Sequence, residues 1–254
     1  MRFENKVVVI TAAGAGIGKA TALIMAREGA TVVAVDTDAA RLDVLVAETA
    51  GGAGRVVARR ANALEPKEVA AVVTDTIKAH GHIDILVNAV GGSTIVPKPA
   101  AGIDELTVAE WKRLIDFNLD ATFLFTNAVV PAMKAAGRGK IVNLASIAGR
   151  GISGASSSAY AAAKGGIIAL TKKLGTELGP HGIAVNAIAP SLTLTERIRP
   201  HWNQRSPEAQ AAEIQRTPVR RVAAAADQAK VICFLASSDA DFVNGVTIDV
   251  TGGI

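Results

Sequence analysis

Seven short runs rich in Val, Ile and Ala, each bounded by glycine or charge, recur along the chain at 6–11, 31–36, 55–60, 83–87, 140–145, 183–188 and 246–250. Continuous apolar runs of this length describe strands buried on both faces, whereas strict alternation would describe strands with one wet face. Longer Ala-rich stretches between them, at 16–28, 38–49, 66–80, 108–136, 158–178 and 225–237, read as helices. Strand and helix in repeated alternation predict an α/β fold, a doubly wound, mostly parallel seven-stranded sheet with helices on both faces. No linker or low-complexity tract divides the chain, so residues 1–254 are expected to form a single domain. Residues 191–218 break the pattern. They are polar, hold Trp202 and a run of arginines, and read as a long irregular binding loop.

Composition removes several classes of function. Half the residues are hydrophobic and a fifth are charged, which excludes a disordered chain. No apolar run reaches the roughly 18 residues that would suggest a membrane span, and the first strand begins too early for a signal-peptide core, so a cytoplasmic protein is expected. Cys233 is the only cysteine, so no intrachain disulfide can form. The net charge of +4 is scattered apart from Arg59-Arg60 and Arg220-Arg221, and aromatics make up only 4%. Without a basic helix or a stacking platform, no nucleic-acid partner is expected. His80 and His82 flank one glycine, but only four histidines exist and no third ligand is evident, so a solvated turn and no metal are expected.

The first strand runs into Thr11-Ala12-Ala13-Gly14-Ala15-Gly16-Ile17-Gly18 and then a helix. Glycines at such a junction let the backbone approach a pyrophosphate, while the N–H groups and dipole of the helix hold the anion. Asp36 ends the second strand 18 positions after Gly18. Its carboxylate can accept from both hydroxyls of an adenosine ribose and would repel a 2′-phosphate, which favours NAD over NADP. A phosphate-preferring site would want a cation in the glycine loop or just past the second strand, where this chain has Ala15 and Thr37.

The single tyrosine, Tyr160, stands four residues before Lys164 in Ser-Ser-Ser-Ala-Tyr-Ala-Ala-Ala-Lys. Helical spacing places both on one face, and a fixed ammonium would lower the phenol toward the range of a working general base. Ser158 reads as the cap of that helix, with Ser153, Ser156 and Ser157 lining a substrate entrance. Arg197, Arg199, Arg205 and Arg216 with His201 in the polar loop suit a soluble lid, or a carboxylate or thioester-carried substrate.

With the glycine loop, Asp36 and the Tyr160/Lys164 pair in hand, the chain resembles the short-chain dehydrogenase/reductase family over essentially its whole length, with a Rossmann-like fold. Leu86-Val87-Asn88-Ala89-Val90-Gly91, Phe117-Asn118-Leu119, Asn143-Leu144-Ala145-Ser146 and Val185-Asn186-Ala187-Ile188-Ala189-Pro190-Ser191 match its motifs in order, as do Phe234-Leu235-Ala236-Ser237 and Thr251-Gly252-Gly253. The resemblance implies hydride transfer between NAD(H) and a secondary alcohol or ketone. Its catalytic set would be Asn118, Ser146, Tyr160 and Lys164, with Tyr160 as acid/base, Ser146 on the substrate oxygen and Asn118 holding a water that links Lys164 to solvent. Cofactor contacts would fall on Ala12, Gly14, Gly16, Ile17, Gly18, Asp36, Asn62, Asn88, Ala89, Val90, Gly91, Tyr160, Lys164, Pro190, Thr193 and Thr195, the last on the nicotinamide amide. A homotetramer is implied as well. Ala12 stands where the family has glycine, so the first turn is expected to avoid a left-handed backbone there and to use Gly14. Asn62 replaces an aspartate, Ala89 an asparagine, Ser191 a glycine and Thr251 an aspartate. Two other readings are an NADP-dependent 3-oxoacyl thioester reductase and a non-catalytic dinucleotide sensor.

Overall fold

The computed structural model describes residues 1–153 and 156–254. In chain order the first half runs β1 (Val7–Thr11), α1 (Gly16–Arg27), β2 (Thr31–Asp36), α2 (Ala39–Glu48), β3 (Arg55–Arg60), α3 (Pro66–His80), β4 (Ile85–Asn88), α4 (Val108–Ile115) and α5 (Ala121–Ala136). It continues with β5 (Gly139–Leu144), α6 (Ser158–Leu178), β6 (Ile183–Pro190), β7 (Thr193–Leu194), α7 (Arg199–Asn203), α8 (Pro207–Arg216), β8 (Ala223–Ala224), α9 (Ala225–Ala236) and β9 (Thr247–Val250). The seven predicted strands form one sheet in the order β3-β2-β1-β4-β5-β6-β9, with every pair parallel.

Successive residues of a strand point to opposite faces, and here both faces are dry. Val8 and Ile10 of β1 pack with Met25, Leu42, Ile232 and Cys233, on the side covered by α1, α2 and α9. Val9 between them packs with Val69, Val73, Phe125, Val129 and Met133, on the side covered by α3 and α5. This is why the strands read as unbroken apolar runs. The strand order reverses between β1 and β4, and in such sheets the crevice outside the carboxyl ends at that point is the ligand site.

Three local expectations are corrected. The stretch 108–136 is not one α-helix, because a π-helical turn at Asp116–Asp120 separates α4 from α5. Such turns often mark functional positions, and this one contains the buried Asn118. Residues 191–218 are more ordered than a plain loop. They carry β7, α7 and α8, and β7 pairs with β8. Finally, the cap of α6 is Ser157, whose hydroxyl accepts from the Tyr160 N–H at 3.4 Å, while Ser158 is the first helical residue.

Candidate active site

A cavity of about 450 Å³ opens at the carboxyl ends of the strands, and the glycine loop, Asp36, Asn62, the 89–92 segment, Ser146, Tyr160, Lys164 and the 190–198 segment line it. The loop after β1 is shaped by two backbone requirements. A Cβ on Gly18 would press into the Ala12 carbonyl, so α1 packs against the loop only because that side chain is missing. Ala12 itself takes φ 50, contrary to the expectation that an alanine there excludes a left-handed backbone. The turn keeps the shape that glycine would give it, at a cost of roughly 1–2 kcal/mol for an L-residue in that conformation. Its shape is held by Asp36, whose Oδ2 accepts from the Gly14 N–H at 2.9 Å, and by the Ala13 N–H bond to the Val35 carbonyl at 3.0 Å.

At the adenosine end, Asp36 Oδ1 also accepts from the Asp38 N–H at 3.1 Å, so one carboxylate fixes both loops around it. The structure adds a cation that the sequence reading missed. Arg41 stands on α2 so close to the glycine loop that a Cβ on Gly14 would lie 2.9 Å from its Cβ, and its guanidinium pairs with Asp38. Asn62 keeps its side-chain oxygen on the Leu64 N–H at 3.1 Å.

Asn88 and Gly14 do not line the cavity. The buried Asn88 amide donates to Asn143 Oδ1 at 2.9 Å and Thr126 Oγ1 at 3.0 Å, and Asn143 in turn donates to Thr171 at 3.0 Å. This network ties β4, β5, α5 and α6 together behind the cleft. Asn88 therefore supports the wall of the site, with its side-chain amide turned to Asn143 and Thr126.

Of the four residues of the expected catalytic set, Ser146, Tyr160 and Lys164 line the cavity, while Asn118 lies behind the wall and reaches it through Gly92. Ser146 follows β5, Tyr160 and Lys164 lie one turn apart on α6, and Asn118 sits in the π-helical turn. The Lys164 Nζ lies 5.8 Å from the Tyr160 ring centroid and donates to the Leu144 carbonyl at 2.6 Å. The Asn118 amide is engaged with backbone. It accepts from the Gly92 N–H at 2.9 Å and donates to the carbonyls of Gly92 and Leu114 at 3.2 and 2.9 Å.

The electrostatics differ from the expected picture. Enclosure by protein pushes the Tyr160 phenol above its usual value, opposed by the hydrogen bond with Ser146 and by the Arg197 cation, and Lys164 is not among the causes. Lys164 is itself pushed down to about 7, first by burial and then by Arg197. A buried ammonium beside a second cation is disfavoured, and a lysine that has lost much of its charge cannot act as the strong fixed cation that the four-residue spacing suggested. The cation that acts on the phenol is Arg197, which the sequence reading placed in the lid without a role at the tyrosine.

Lid residues close over this floor. The Glu196 carboxylate accepts from the Gly16 N–H at 2.8 Å, and Arg197 Nη2 donates to the Gly91 carbonyl at 2.6 Å. A helix N-terminus that already holds a carboxylate suits an anion, and the glycine cradle leaves room for one, so the residues present fit a dinucleotide pyrophosphate.

Comparison with known proteins agrees with this fold. The family model described as enoyl-(acyl carrier protein) reductase matches residues 11–254. The chain is 37% identical over 255 residues to a 3-oxoacyl-(acyl-carrier-protein) reductase of Thermotoga maritima, covering 100% of this chain and 99% of that protein. It is 36% identical over 256 residues to a cyclohexanol dehydrogenase of an Acinetobacter species, covering 99% and 95%. A crystal structure of a 3-oxoacyl-(acyl-carrier protein) reductase with bound NAD, from Brucella melitensis, superposes with a TM-score of 0.88 at 36% identity, covering 100% and 94%. The chain belongs to the short-chain dehydrogenase/reductase family. It is an oxidoreductase that transfers hydride between a nicotinamide dinucleotide and an alcohol or ketone.

Proposed function

We propose an NAD-dependent dehydrogenase/reductase of secondary alcohols and ketones in which Tyr160 is the general acid/base. The observation that carries this reading is the convergence of Ser146, Tyr160 and Lys164 on one end of a cleft whose other end has a glycine loop and Asp36. When bound, the nicotinamide accepts or supplies the hydride at the substrate carbon. The glycine loop would hold the pyrophosphate, Asp36 the adenosine ribose, and Thr193 and Thr195 the nicotinamide end. In the oxidation direction Tyr160 takes the proton from the substrate hydroxyl, and in reduction it returns that proton to the carbonyl oxygen. Ser146 donates to the same oxygen and keeps the phenol in line. Lys164 anchors the floor through the Leu144 carbonyl and offers its remaining donors to the nicotinamide ribose. Asn118 positions the 91–92 backbone that faces Lys164, since a Cβ on Gly91 would lie 2.7 Å from the Lys164 Nζ and 2.8 Å from Asn118 Oδ1.

The preference for NAD rests on Asp36, while Arg41 beside it, and Arg60, which donates to the Thr37 carbonyl at 3.3 Å, are features that favour a 2′-phosphate. The carboxylate lies on the cavity wall and fixes both loops, whereas Arg41 is exposed and already paired with Asp38. NADH is therefore expected to outperform NADPH. Replacing Asp36 with asparagine should raise kcat/KM for NADPH by about tenfold, because one like-charge repulsion of roughly 1–2 kcal/mol is removed. Steady-state rates with the two cofactors check this, and an unchanged NADH/NADPH ratio would remove Asp36 as the selector.

The same reading takes the assembly to be a homotetramer. Exposed apolar side chains on the α4–α5 surface support it, among them Val108, Trp111 and Phe123. Phe242, near β9, is fully exposed and marks a second such surface. A native mass of four chains by light scattering is the expected result, and a monomer at micromolar concentration would contradict it.

A further inference from the structure

We propose that Glu196 is a built-in competitor for the dinucleotide, its carboxylate standing where the pyrophosphate must bind. This rests on the reading of the cleft as a dinucleotide site and adds a determinant of affinity to it. Helix α1 begins without an anion of its own. Its cap residue is Ala15, which makes no side-chain cap, and its first turn has no acidic residue. The positive end of a 12-residue helix is thus left open within its own sequence, and Glu196, 180 positions away, fills it through the Gly16 N–H.

The lid is shaped to make this contact. Thr195 accepts from the N–H groups of Ile198 and Arg199 at 3.1 and 2.9 Å, forming a turn that presents Glu196 and Arg197 side by side. Thr195 also rests on the glycine loop, where a Cβ on Gly16 would lie 3.2 Å from its Cγ2. Arg197 reaches the opposite wall, bonding the Gly91 carbonyl. Two successive residues therefore straddle the crevice, one on each of the loops between which the cofactor must lie. A phosphate oxygen and the Glu196 carboxylate cannot share the Gly16 N–H, so binding must exchange one anion for the other and lift the lid. Apparent affinity is the intrinsic affinity multiplied by the fraction of molecules in which the lid is already open, so a lid held shut by Glu196 weakens binding.

The test is calorimetric titration of the intact protein with ADP-ribose, NADH and adenosine. Glu196→Ala is expected to bind ADP-ribose and NADH about 3- to 10-fold more tightly than the parent, the range set by losing one solvent-exposed hydrogen bond to the competitor. Adenosine, which lacks phosphate, is expected to bind equally to both. Glu196→Gln, which keeps an acceptor but no charge, should give a smaller gain. Glu213→Gln removes a carboxylate that also lines the cavity but pairs with Arg216, and it is expected to give no gain. Unchanged or weaker ADP-ribose binding by Glu196→Ala would overturn the proposal, as would an equal gain for adenosine or an equal gain from Glu213→Gln. If the parent protein binds neither ADP-ribose nor NADH, the dinucleotide reading itself falls and takes this inference with it.

Discussion

Tyr160→Phe is expected to lower kcat by on the order of a thousandfold while NADH affinity stays within about twofold of the parent. The phenol hydroxyl is hydrogen-bonded with Ser146 and so is placed to exchange a proton with a substrate oxygen that Ser146 holds, and phenylalanine keeps the ring that packs beside Val96 and Leu114. The fold should therefore be preserved and the chemistry lost, the pattern of a residue that acts on the reacting atoms. A second readout is available because no other tyrosine exists in the chain. Alkaline titration of the cofactor-free protein should show one phenolate transition, with a midpoint above the ordinary value of 10.0 because burial of the neutral phenol outweighs Ser146 and Arg197. The Phe variant should show none. Measurable turnover within tenfold of the parent would remove Tyr160 from the proton-transfer role, and a midpoint below 10 would remove the account of its environment.

How much of this was legible in the sequence depends on the range of the interaction. Seven strands, their mostly parallel pairing and the single domain follow from residues near one another in the chain, since a run such as Val7-Val8-Val9-Ile10 has few ways to be buried other than in the middle of a two-sided sheet. Tyr160 and Lys164 were visible as a pair because a helix fixes their separation. The misses share a different cause. Glu196 on Gly16, Arg197 beside Tyr160 and Arg41 beside Gly14 are contacts made by lid or helix residues across the crevice, and no periodicity encodes which loop a lid residue will meet. Ala12 was misjudged in the other direction. Local propensity disfavours a left-handed alanine, but the Asp36 and Val35 bonds to the next two residues hold the turn, and tertiary constraint outweighs roughly 1–2 kcal/mol of backbone preference. The break at Asn118 is a third case. A continuous helix satisfies the sequence pattern of 108–136, yet the turn at Asp116–Asp120 is π-helical, and the buried Asn118 amide exchanges hydrogen bonds with the Gly92 backbone, a contact 26 residues away that no helical periodicity encodes.

Lys164→Met is expected to stabilise the cofactor-free protein at pH 7 while abolishing turnover. Burial lowers the lysine from 10.5 to about 7, so folding at neutral pH must deprotonate or desolvate a group that is charged in the unfolded chain. By linkage, that shift disfavours folding at pH 7 by on the order of 4 kcal/mol. Methionine is similar in length and carries no charge, and its one clear cost is the Leu144 carbonyl, which loses its donor at roughly 1–3 kcal/mol. The desolvation is the larger quantity, and a net gain of about 1–3 kcal/mol is expected in urea denaturation at pH 7. The sign of the pH dependence tests the cause. Between about pH 7 and 10.5 the unfolded chain binds more protons at this site than the folded one, so the parent should gain stability as pH rises through that window, and below it the penalty is constant. The methionine variant lacks that slope, so its advantage should shrink toward pH 10.5, where the lysine is neutral in both states and only the lost Leu144 bond remains. A variant that is less stable at pH 7 and parallels the parent across the window would mean that Lys164 keeps its charge at ordinary cost inside the fold. The tyrosine–lysine coupling suggested by their four-residue spacing would then have to be restored in place of the Arg197 account.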